Sequence, residues 1–175
     1  MIRRTTAEKF NVDCIVQRTR QGSGSIYIWA CMNFNGVGFV KVFEGRLNAD
    51  AYIDILGEYL LPSIDLLRDP DMPMTFQQDN APCHRAHIVR DWFTENDIPV
   101  MQWPPYSPDL SCIENLWSWL DKKLAKDPPT TKDELVAAVL KYLDEVPIEI
   151  IPNLVDSMPN RVNGCLKNNG GATRY

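Results

Sequence analysis

The sequence predicts an α/β fold, and three observations carry that prediction. The run from Ile26 to Phe34, IYIWACMNF, is aromatic and β-branched and apolar on both alternating faces, as a strand buried within a sheet is. Asn35-Gly36 follows, a dipeptide that tolerates the positive φ of a tight turn, and VGFVKVF then supplies the returning strand of a hairpin. Beyond it, segments with apolar residues at helical spacing alternate with short strand-like stretches. The resulting order is hairpin, helix, strand, helix, strand, helix.

Each element has its own signal. From Asn48, a helix N-cap, Tyr52, Ile55, Leu56 and Tyr59 recur at helical spacing until Pro62, which is expected to end the helix. MTFQQD places Met74, Phe76 and Gln78 on one face of a short strand, with Thr75, Gln77 and Asp79 on the other, so Asp79 lies at its carboxyl end. A helix then carries Ile88, Val89, Trp92 and Phe93, and IPVMQW is a further short strand before a proline-rich loop. Ile113, Leu116, Trp117, Leu120 and Leu124 mark the buried stripe of the helix that holds Glu114. Two more helices close the chain, one after Thr131 with Leu135, Ala138, Val139 and Tyr142, the other through Ile151, Leu154, Val155 and Met158. The sequence shows no internal repeat and no low-complexity linker. The polar stretches RQGSGS and KNNGGATRY read as loop and tail of a single domain, residues 1–175.

Composition narrows the functional classes. At 175 residues and 45% hydrophobic content the chain can bury one sizeable core. No apolar run is long enough to cross a membrane, and MIRRTTAEKFNVDC lacks the apolar stretch of a signal peptide. The five cysteines, Cys14, Cys31, Cys83, Cys112 and Cys165, are odd in number and include no CxxC pair, which argues against a disulfide framework and a structural zinc site. A net charge of −5 gives no global attraction to nucleic acid, so a polyanionic partner would be met by metal ions or by a local basic patch.

Two acidic residues fall where such chemistry would collect. Asp79 ends a strand and Glu114 opens a helix. In open α/β sheets, groups at these places converge beyond the carboxyl ends of the strands. Carboxylates gathered there can hold Mg2+ through hard oxygen ligands, as phosphoryl transfer requires. Simpler readings stand beside this one. Ser111-x-x-Glu114 is also the pattern of a helix capping box, and spacing does not separate the two roles. Asp79-Asn80 before Ala81-Pro82 suits an Asx turn. Cys83, His84 and His87 have zinc-like spacing without a second ligand pair, which favours a surface turn. Gly22 and Gly24 precede a strand rather than a helix, so they do not cradle a phosphate.

The segments FQQDNAPCHRAHIVRDWF, WPPYSPDLSCIENLWSWLDKKL and LVDSMPNRVNGCLKNNGGATRY resemble the catalytic domain of Tc1/mariner-family transposases, with RQGSGSIYIWACMNFNGVGFV and LNADAYIDILGEYLLP matching it in order between them. The resemblance implies an RNase H-like fold, a mixed sheet flanked by helices, and an Asp, Asp, Glu triad around two Mg2+ or Mn2+ ions. Thirty-four residues separate Asp79 from Glu114, the spacing of the Tc1 branch. Asp79 thus takes the place of the second catalytic, metal-binding carboxylate and Glu114 that of the third. Asn80 and His84 match the D-N-x-P-x-H surroundings as supporting groups. By the same resemblance the partners are DNA, both transposon ends and target, and further copies of the chain, in the nucleus, with no membrane and no small-molecule substrate. This chain departs from the family at Ser111-Cys112, where Asn-Pro is usual. IRRTTAEKFNVDC aligns downstream of the strand that carries the first aspartate, so that first, central strand is expected to be missing, as is the DNA-binding helix-turn-helix. Asp13, in a loop-like stretch, is not assigned the missing role. The resemblance therefore implies DNA cleavage and strand transfer by a site that is incomplete, and so inactive, in the chain as it stands. The alternative is a transposase-derived module that binds nucleic acid or assembles without catalysing.

Overall fold

The structure, a computed structural model, describes residues 16–19 and 25–175. β1 (Val16–Thr19), β2 (Ser25–Trp29) and β5 (Lys41–Phe43) form an antiparallel sheet in the order β1-β2-β5, with Val16 opposite Ile28 and Ile28 opposite Val42. β2 is the central strand of this sheet, as its two-faced apolarity requires. Ile26, Ile28 and Ala30 pack on one side against Leu116, Leu120 and Val139, while Trp29 packs on the other against Tyr52, Leu60 and Phe93.

The helical layers follow from the sequence stripes. On one side lie α4 (Ile113–Lys126), α5 (Lys132–Asp144) and α6 (Ile150–Asp156), with α7 (Met158–Lys167) beyond. All five stripe residues of α4, Ile113, Leu116, Trp117, Leu120 and Leu124, are buried. On the other side lie α1 (Ala49–Ile55), α2 (Leu61–Leu67) and α3 (His87–Glu95). Asn48 caps α1 by accepting from the Ala51 N–H, and Thr131 with Glu134 forms a full capping box on α5.

The structure corrects several local expectations. Residues 16–19, to which the sequence assigned no element, form a strand because the edge of β2 has backbone N–H and C=O groups that need partners. The hairpin turn is centred on Phe34-Asn35, one residue before Asn35-Gly36. It joins β3 (Met32–Asn33) to β4 (Gly36–Val37), and Gly36 takes a positive φ of 147°. Asn33 and Asn35 both donate side-chain N–H groups to the Leu67 carbonyl, which ties the turn to the end of α2. Pro62 does not end its helix. Leu56–Leu60 form a turn of π-helix in which the Leu61 N–H reaches back to Leu56, and the widened ladder carries the chain past the proline's missing N–H into α2. The stretches 74–79 and 98–103 pair only through a parallel bridge between Phe76 and Val100. The last helical pattern divides into α6 and α7 at Ser157. The expected absence of a first strand and the reading of Asp13 concern residues outside those described.

Gly38 shows how closely the hairpin approaches α2. A Cβ there would stand 2.5 Å from Ser63 Oγ and 2.7 Å from Cys31 Sγ, whereas one at Gly57 would meet nothing within 4 Å. Gly38→Ala should destabilise the protein by about 1–3 kcal/mol through overpacking. Gly57→Ala should stabilise it by about 0.5–1 kcal/mol through reduced backbone entropy. Urea titrations of both variants measure these opposite signs.

Candidate active site

The bridge at Phe76 sets the site. Its N–H donates to Pro99 O and its carbonyl accepts from Met101 N–H, both at 2.8 Å, while its ring stacks on Phe93 at 5.3 Å. Two parallel segments therefore leave the sheet region side by side. One leads into the turn at Asp79, the other into the loop before α4. Asn80 ties them together by donating its side-chain N–H to Trp103 O at 2.8 Å.

The Asp79 turn is built on a buried polar chain. Asp79 Oδ1 accepts from the Ala81 N–H at 3.0 Å, an Asx turn, and also lies 2.6 Å from Nδ1 of His84. With a carboxylate as acceptor, Nδ1 carries the proton. The His84 side chain is fully buried and Asp79 is 20% exposed. Tyr52 covers the imidazole with its ring, the centroids 4.2 Å apart, and donates its hydroxyl to Gln78 Oε1 at 2.6 Å. Gln78 in turn donates to the His84 carbonyl at 3.4 Å. Burial alone would pull the imidazole pKa down. The hydrogen bond to Asp79, with smaller contributions from Cys83 and the Asp79 charge, outweighs it and raises the value to about 9.

The structure therefore brings Asp79, Asn80 and His84 into one turn. Two contributors were not legible as such: Tyr52 was legible only as part of an apolar stripe, and Gln78 only as one face of a strand. The hydroxyl on a residue destined for burial was the available signal, since a buried Tyr O–H finds a partner. The zinc-like spacing of CHRAH is not a cluster. His84 points inward, while His87 lies exposed on α3 and pairs with Asp91 at 2.6 Å.

Glu114 stands in the first turn of α4, but not as the third residue of a capping box. Pro108–Leu110 form a 3-10 turn that takes Ser111 as its last residue, so Cys112 becomes the cap of α4 and makes no side-chain capping hydrogen bond. Glu114 is then the second helical residue, with its N–H on the Ser111 carbonyl at 3.3 Å. An acidic group at this place is favoured by the helix dipole. Asp79 and Glu114 suit a hard divalent cation by their donor chemistry. Among the described residues, no group of three or more His, Cys, Asp or Glu side chains is placed to hold a metal ion.

Residues 3–136 match the DDE superfamily endonuclease family, and the chain belongs to that family. Within it, the relatives are Tc1/mariner transposases. The Tc1 transposase of Caenorhabditis elegans is 28% identical over 99% of this chain and 63% of its own length, and the Tcb1 transposase of Caenorhabditis briggsae is equally similar over the same shares. The chain thus spans less than two thirds of the length of these relatives. Its fold is that of the Mos1 mariner transposase catalytic domain, an RNase H-like fold, with a TM-score of 0.82 at 19% identity over 93% of this chain and 82% of the other. A Mos1 paired-end complex with the left transposon end matches 90% of this chain and 47% of that one, with a TM-score of 0.79 at 21% identity.

The raised pKa of His84 has a consequence for stability. Its folded value of about 9 lies above the unfolded 6.5, so the stabilisation from the Asp79 pair is complete below pH 6.5 and lost as pH rises through about 9. In metal-free buffer, the melting-temperature difference between the native chain and Asp79→Asn should shrink between pH 6 and pH 10. The chain has two histidines, so NMR titration can follow each of them. His84 should remain protonated at neutral pH, and Asp79→Asn should lower its midpoint.

Proposed function

We propose that this chain is the catalytic region of a Tc1-like transposase, in which Asp79 and Glu114 are two of three carboxylates that hold a pair of Mg2+ or Mn2+ ions. The observation that carries this reading is the placement of the two acids. Thirty-four residues lie between them, and the segments leading to them are joined at Phe76 and again through Asn80. The Mos1 structures solved with Mn and with Mg support the choice of cation. When bound, the ions would activate an attacking oxygen and stabilise the leaving one in phosphodiester hydrolysis and strand transfer.

The protein's own residues prepare the site for that work. His84 fixes one oxygen of Asp79, and Tyr52 and Gln78 fix His84, so the carboxylate is oriented from a buried support rather than from a mobile loop. Asn80 keeps the Asp79 turn against the loop that delivers Glu114. The substrate is DNA at transposon ends and at a target, the active form is an assembly of copies, and the site of action is the nucleus. Metal ions offset the chain's net charge of −5 at the phosphates.

The third carboxylate of such a site would come from outside the described residues, and we propose that Asp79 and Glu114 without it do not cleave DNA. The alternative reading is a non-catalytic nucleic-acid-binding or assembly module. A chimera separates the two. Residues 75–175 grafted in place of the matching segment of the Caenorhabditis elegans Tc1 transposase should support Mg2+-dependent excision, and Asp79→Asn or Glu114→Gln should reduce it to background. A folded chimera that binds transposon ends but never cuts would favour the module. Mg2+-dependent nicking by the 175-residue chain, abolished by Glu114→Gln, would refute its inactivity.

A further inference from the structure

Arg161 is 1% exposed, and a guanidinium withdrawn so far from water needs several partners to hold its place. It has them on three different elements. Nε donates to Ser157 Oγ at 2.7 Å, at the junction of α6 and α7. Nη1 donates to the Asp109 carbonyl at 2.8 Å, in the 3-10 turn before α4. Nη2 donates to Asn115 Oδ1 at 2.7 Å, on the residue after Glu114. The planar fork of arginine fixes these three directions relative to one another, which lysine cannot do.

The carboxyl-terminal segment, legible in sequence only as a polar tail, completes the arrangement. The positive φ values of Asn169 (51°) and Gly170 (83°) turn the chain back along α7, where a Cβ at Gly164 would just touch the Thr173 side chain, at 3.5 Å. The Thr173 N–H then donates to Asp109 Oδ2 at 2.6 Å, and the Tyr175 ring lies 4.7 Å from the guanidinium carbon of Arg161. The cap of α4 is drawn to the same place, since Cys112 Sγ donates to the Leu154 carbonyl that also accepts from Ser157 Oγ. The first turn of α4 has no side-chain cap of its own, and these contacts hold it from outside.

We infer that Arg161, locked by Asp109, Thr173 and Tyr175, is a positioning residue for Glu114: it sets the start of α4 and thereby the direction in which the carboxylate is presented to a divalent cation. This inference rests on the reading of Glu114 as a metal-binding residue. It adds that the end of the chain, distant in sequence, governs the quality of the site.

The test uses the 175-residue chain with two readouts, amide hydrogen exchange and Mn2+ binding followed by EPR. Arg161→Lys should speed exchange at the Glu114 and Asn115 amides by at least about tenfold while leaving Leu135 of α5 unchanged, because only the start of α4 loses its support. Tyr175→Ala, a change at a partly exposed position, should act in the same direction with a smaller effect, and it serves if Arg161→Lys does not fold. Arg161→Lys should also weaken Mn2+ binding by about tenfold, with no further loss in a Glu114→Gln background. A uniform rise in exchange across α4 and α5, or unchanged exchange at Glu114 and Asn115 in both variants, would overturn the positioning role. If Glu114→Gln leaves Mn2+ binding unchanged in the otherwise native chain, the metal reading of Glu114 has failed, and the exchange rates still decide whether Arg161 holds the helix start.

Discussion

Two hydrogen bonds at Phe76, one to Pro99 and one from Met101, hold side by side the two segments from which Asp79 and Glu114 are delivered. The contact is a single bridge, far shorter than a ladder, and its strength comes from its surroundings. The Phe76 ring is stacked on Phe93 within one of the two cores, and Asn80 makes a second tie four residues further on. A site assembled this way depends on tertiary packing more than on sheet pairing. Loss of apolar contact around Phe93 would loosen it without touching any polar group.

Much of the scaffold was legible because its signals are periodic. The stripe of α4 follows the helical repeat, and β2 carries apolar residues on both faces because helices cover both. What was not legible depends on partners distant in sequence. The pattern MTFQQD is suited to a strand, yet the extent of pairing is set by the neighbour, which meets it only at Val100. Pro62 ordinarily stops a helix, and only the π turn before it explains the continuation. Ser111 and Glu114 have capping-box spacing, but Pro108 nucleates a 3-10 turn that claims the serine first. Of the proposed site residues, Asp79, Asn80, His84 and Glu114 were named from spacing and from the family resemblance. Tyr52, Gln78 and Arg161 could not be, because each acts through a partner at least twenty-six residues away in sequence or across element boundaries.

The two carboxylates are supported in different ways. Asp79 is held by a buried histidine whose pKa the pair raises to about 9 and whose ring is covered by Tyr52. Glu114 is held through the backbone of a helix whose first turn is braced from α7 and the chain end. The first support is electrostatic and local, and the second is mechanical and long-range. Substitutions around Asp79 should therefore show in charge-dependent properties, and those around Arg161 in geometry.

The π turn at Leu56–Leu60 amounts to one residue inserted into an otherwise regular helix. Removing one residue there would restore an ordinary ladder but rotate everything after it by about 100°. Ser63 would then swing away from the Phe39 N–H and from Gly38, and the Leu67 carbonyl would leave the two asparagine amides of the hairpin turn. The irregular turn thus works as a phase setting. It lets the first half of the helix keep Tyr52 over His84 while the second half stays in register with the hairpin, two alignments that a regular helix of this length could not meet together.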